Sequence, residues 1–236
     1  MNQLSEQGIL QEISQRLKSG DFSAKEDLFQ LMNQTEDLQI QSDCIALFAA
    51  VASNEDFDDP QKFFFLENAD ADIVHAFVSD SALMLSYGVV PYLLVLLEEW
   101  QDSANEESIR SSLDFILSYS DHMDFNASLE EIEGLAYEII SNVDKSKYYY
   151  MNREFHPSIL AKNISEVAQA RLANQEEFQM YIPPKLLSNA SGKDFPVDYF
   201  DKIDEGAFRS IYSFIKELIP IEWEEGAKYY YGNKVQ

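Results

Sequence analysis

Cysteine is nearly absent from this 236-residue chain: Cys44 stands alone, so no internal disulfide can form and no four-cysteine zinc site is present. Long apolar runs are missing too. The most apolar stretch, Val89 to Leu97, is interrupted by Pro91 and is far shorter than the roughly 20 residues a membrane helix needs. The opening MNQLSEQGIL lacks the basic and apolar regions of a secretory signal, and a reducing cytoplasm is the expected location. Glycine is sparse, with eight residues scattered singly, so neither nucleotide-binding glycine loop is present. No GxSxG elbow occurs, and Cys44 sits in an apolar helical stretch that predicts a buried, inert thiol. The three histidines, His75, His122 and His156, lack the spacing that sets two imidazoles on one metal.

Basic residues are the scarcest resource relative to their opposites. There are 17 of them against 42 acids, a net charge of −25. Between Lys62 and Lys145 stand 17 acids and one base, Arg110, so this stretch alone carries −16. Such a field repels nucleic-acid phosphates and anionic membranes and attracts basic surfaces. The chain is nonetheless built to pack, because 46% of its residues are hydrophobic and it holds 16 Phe and 13 Tyr.

Most segments follow the helical period. Leu4, Ile9, Ile13 and Leu17 make a first stripe, which Gly20 stops, and Leu38 to Ala52 predicts a buried central helix. Ser23 with Glu26, Ser103 with Glu106, and Ser128 with Glu131 have the spacing of capping boxes. Pro60 and Pro91 suit first turns of helices. The predicted class is all-α, an irregular stack of antiparallel helix pairs of the HEAT-like kind over residues 1–150. Residues 151–236 are expected to continue that fold, with a Pro-rich irregular loop around 181–196 marked by Pro183-Pro184 and Ser191-Gly192. A small C-terminal subdomain is the alternative.

The acid-rich turn Asn54 to Asp59 fails as a calcium loop, since its glycine position holds Asp59 and its terminal bidentate position Phe65; it is expected to be solvated. Asp121, His122 and Asp124 are no stronger a metal set. Adjacent carboxylates such as Glu98-Glu99, Glu106-Glu107 and Glu130-Glu131 point about 100° apart on a helix and do not share an acid–base site. No catalytic residue, metal or cofactor is expected. K-Y-Y-Y-x-N occurs twice, at Lys147 to Asn152 and Lys228 to Asn233; such tyrosines either line an interface or pack helix ends.

In size, acidity, helical pairing, the turn N-E-D-F-D-D and the stretch D-S-A-N-E-E-S-I-R-S-S-L-D-F-I-L, the chain resembles the acidic all-helical immunity proteins of bacterial polymorphic toxin systems, including those of contact-dependent and type VI secretion. The resemblance implies a cytoplasmic protein that binds a cognate toxin, often a nuclease, and covers its basic active site. The expected contacts are Glu98, Glu99, Asp102, Glu106 and Glu107 with Trp100 among them, which span one helix end, a turn and the next helix start. Nucleic acid and membrane are not expected partners. A helical adaptor for another basic protein, or a nucleic-acid mimic, are the competing readings.

Overall fold

The computed structural model describes residues 5–236, and Leu4 of the first stripe lies outside the described residues. Ten α-helices and two short hairpins make up the described fold, apart from several 3₁₀ turns. Helix α1 (Glu6–Lys18) starts where the Ser5 hydroxyl accepts the Gly8 N–H, and it buries Leu10, Ile13 and Leu17. Helix α2 (Lys25–Gln34) packs on α3 (Leu38–Val51). The Asp37 carboxylate caps α3, whose C-terminal half is enclosed as its apolar periphery predicts. Helix α4 (Ala71–Ser81) lies against α3 and α6 (Glu106–Leu117); α5 (Val90–Glu99) packs on α6 and on α7 (Leu129–Asn142). Helix α8 (Pro157–Asn174) packs against α9 (Ile182–Ser191) and α10 (Glu205–Leu218).

An aromatic cluster fills the junction between α2, α3 and the following 3₁₀ turns. Phe63 lies 4.3 Å from Tyr92, 5.5 Å from Phe57 and 5.7 Å from Phe48, ring centre to ring centre. Each ring taken from water contributes about 1.5–3 kcal/mol, which makes this cluster a major source of stability.

Several expectations change. Only Ser128–Glu131 forms its capping box, with the Glu131 carboxylate accepting from the Ser128 N–H and hydroxyl at 2.9 and 2.7 Å. Ser23 instead donates to Asp21, and Ser103 donates back to the Trp100 carbonyl, so α2 and α6 start at Lys25 and Glu106 without those caps. The irregular loop expected around 181–196 is helical over α9 (Ile182–Ser191). Pro183 and Pro184 fall in its first turn, where a missing N–H costs nothing, and Gly192 ends it at φ +70°.

The tyrosine echoes form two matching hairpins. Strand β1 (Tyr149–Tyr150) pairs with β2 (Arg153–Glu154), and β3 (Tyr229–Tyr230) with β4 (Asn233–Lys234). Their hydrogen bonds correspond: Phe155 N–H to Tyr148 C=O and Val235 N–H to Lys228 C=O, Asp144 N–H to the Tyr149 hydroxyl and Glu224 N–H to the Tyr229 hydroxyl. The structural match is therefore shifted one residue from the letter match, and Lys228 takes the place of Tyr148 instead of Lys147. That shift buries Lys228, whose ammonium donates to the carbonyls of Ala49 (2.8 Å), Ala52 (3.2 Å) and Met84 (3.1 Å). The second hairpin thus closes the end of α3. Burial, and next the nearby Lys25 charge, hold the Lys228 ammonium well below its usual pKa, with Asp56 opposing them.

Candidate partner interface

The C-terminal end of α5 follows from its sequence. Pro91 sits in the first turn, and Leu93, Leu96 and Leu97 turn inward, which leaves Glu98 and Glu99 in solvent. Trp100 closes the helix with its N–H on the Leu96 carbonyl and packs half-buried against the core. The turn that follows is tied down by hydrogen bonds. The Ser103 hydroxyl donates to the Trp100 carbonyl at 2.6 Å, and the Asn105 amide donates to the Ala71 carbonyl at 3.0 Å.

Glu106 belongs to that scaffold. One carboxylate oxygen accepts from Arg110 Nε at 2.8 Å and the other from the Asp102 N–H at 2.7 Å. The Arg110 bond, and then the Asp102 N–H, hold the Glu106 carboxyl below its usual pKa. Arg110, the one base of the acidic stretch, reaches inward to the Ala127 carbonyl at 2.9 Å. The four other predicted carboxylates, Glu98, Glu99, Asp102 and Glu107, are exposed and make no ion pair among the described residues. The structure thus brings the predicted acids around one turn but turns one of the five inward.

Helix α7, which packs on α5, extends the acidic surface in a way that pair spacing alone does not reveal. Ile132 and Ala136 face inward. The opposite side carries Glu130, Glu133 and Glu138 around Tyr137, which is 78% exposed. Gly134 lies one turn before Tyr137, and a side chain there would stand in open space. The signal was available: the inward period of Ile132, Leu135 and Ile139 sets position 137 outside.

The acid-rich turn behaves differently from expectation. Asp56 is buried, and its carboxylate takes the Lys25 ammonium at 2.8 Å, the Lys62 ammonium at 3.2 Å, and the Ser53 N–H and hydroxyl at 2.8 Å each. Burial pushes the Asp56 carboxyl upward, but the Lys25 charge and these hydrogen bonds outweigh it and hold the pKa below normal. Lys25 also donates to the Gln236 carbonyl at 3.0 Å, fastening the last residue to α2. Glu55 and Asp58 remain exposed, at the rim of a cleft of about 500 Å³ between this turn, the segment around Tyr87 and Gly88, and the end of α7 with the first hairpin.

Of the histidines, His156 caps α8 by accepting the Ser158 N–H, and His75 lies 3.5 Å from the Ser79 hydroxyl. Among the described residues no group of three His, Cys, Asp or Glu is arranged to hold a metal ion. Cys44 is enclosed in α3, and burial pushes its thiol pKa up to about 12. No described helix is long and apolar enough to cross a membrane.

No curated protein and no solved structure matches the chain. A protein-family model does match, over residues 2–235, and its description is Immunity protein 47. An acidic, mostly helical chain that presents carboxylates without ion pairs among the described residues is consistent with that match, and a family of immunity proteins implies a partner that is bound and silenced. The chain belongs to the Immunity protein 47 family, whose role is to neutralise a cognate toxin.

Proposed function

We propose that the exposed acids around the α5–α6 turn, together with the outer side of α7, cover the basic active site of the cognate toxin. The observation that carries this reading is the set of exposed carboxylates that meet no cation among the described residues: Glu98, Glu99, Asp102 and Glu107 beside Trp100, and Glu130, Glu133 and Glu138 around Tyr137. Charges within about 8 Å of one another act together on an incoming cation, because screening at physiological salt sets in over that distance. A nuclease supplies the best complement, since the lysines and arginines that bind phosphate form a basic cleft. The acids steer the encounter, and the half-buried Trp100 and the exposed Tyr137 supply contact area once the surfaces meet. The same field disfavours nucleic acid and anionic membrane as partners.

Co-expression with the cognate toxin domain tests the proposal. Wild type is expected to protect the cell, and the combined Glu98→Lys, Glu99→Lys, Glu107→Lys variant to lose protection while staying folded. Full protection by the folded triple variant would remove the α5–α6 face from the mechanism.

A further inference from the structure

We infer that the cleft between the acid-rich turn and the first hairpin seats one arginine side chain of the toxin, an inference that rests on the neutralising role proposed above. The cleft holds about 500 Å³, the size range of pockets that enclose a compact ligand group. Its walls include Phe57, Tyr87, Val143 and Tyr149, and the two tyrosine rings lie 5.2 Å apart at 42°. Such walls suit an apolar stem ending in a planar cation, which can lie over an aromatic face.

The polar groups at the rim select the sign of the ligand. Glu55 and Asp58 are exposed and make no hydrogen bond or ion pair from their side chains among the described residues. Helix α7 ends here in extended backbone at Val143, with no basic residue in its last turn to meet the negative end of its dipole. Two cations also stand at the rim. Lys147 is held by Glu154 at 2.6 Å, and Lys145 is opposed by Glu55, Asp58 and Asp144, so the local balance stays negative. Arginine fits this arrangement better than lysine, because its guanidinium stacks on rings while offering several donors to carboxylates and helix carbonyls.

The test uses a blocked Gly-Arg-Gly peptide as probe, with blocked Gly-citrulline-Gly as its neutral isostere, followed by the methyl resonances of Ile140 and Val143. The arginine peptide is expected to shift them saturably. The citrulline peptide, and the Glu55→Gln, Asp58→Asn double variant with the arginine peptide, are each expected to bind roughly fivefold more weakly, the size set by two partly solvated ion pairs. Equal binding of the two peptides, shifts confined to other residues, or an unaffected double variant would overturn the inference. The assay needs no toxin, so its failure is separable from that of the functional reading. A chain that binds the arginine peptide yet gives no protection breaks the neutralising role and leaves the seat standing; protection without peptide shifts does the reverse.

Discussion

Asp56 lies beneath the surface with two lysines and a serine around it, whereas Glu98, Glu99, Asp102 and Glu107 stand in solvent with no ion pair. All five are acids in the most acidic half of the chain. The first joins the turn before Pro60 to α2 and, through Lys25, to the last residue; the carboxylates of the others join nothing within the described protein. A carboxylate taken out of water must be repaid by partners, so a buried one is committed to the fold. An exposed one among like charges adds only repulsion to the folded chain, and its attraction is available to another molecule. Net charge alone does not separate these two uses.

The sharpest way to break the comparison is to neutralise one acid of each kind within the same turn. Asp56→Asn is expected to cost about 3–5 kcal/mol in urea unfolding, because it leaves the buried Lys25 ammonium without its carboxylate and Lys62 with Glu26 alone. Asp58→Asn is expected to leave the midpoint unchanged. The pH dependence follows from the lowered Asp56 pKa. Its contribution is complete above the ordinary carboxyl value of 3.8 and is lost as pH falls through the lower folded value, so Asp56→Asn should flatten the acid limb of the stability profile. Equal losses at Asp56 and Asp58 would mean that the division into committed and available charges is wrong.

A smaller effect is expected for the lysines of the two echoes. Lys228→Met keeps the apolar stem but leaves the Ala49, Ala52 and Met84 carbonyls without their donor, at a cost of about 2–3 kcal/mol. Lys147→Met removes only the half-buried contact to Glu154 and should move the unfolding midpoint little. Matching losses would contradict the one-residue shift between the hairpins.

That shift shows where sequence reading stopped. K-Y-Y-Y-x-N is visible twice, but the frame of each hairpin is set by which two residues adopt positive φ in the turn: Met151 and Asn152 in one, Tyr231 and Gly232 in the other. Moving a strand by one position exchanges its inner and outer side chains, and nothing in the letters states the frame. Helix periods and the Ser128–Glu131 box were legible because they are local. Pro183-Pro184 misled because the same dipeptide that breaks a helix interior is tolerated in a first turn. In the proposed interface, the turn that gathers Glu98 to Glu107 was legible from spacing. The inward role of Glu106 was half visible as an i,i+4 pair with Arg110, while its bond to the Asp102 N–H depends on a turn in which Asp102 takes φ +60°. The burial of Asp56 was not legible, since its lysine partners come from α2 and from the next 3₁₀ turn.

The most direct test of the claim that the exposed acids exist for the partner is the rate at which the toxin domain associates with wild type and with the Glu98→Lys, Glu99→Lys, Glu107→Lys variant across a range of salt. Glu106 is left in place because it holds the turn. The account predicts that wild-type association slows steeply as salt rises, and that the variant associates about tenfold or more slowly at low salt with a nearly flat salt dependence and unchanged unfolding. Equal rates and equal salt slopes for the two folded proteins would contradict it.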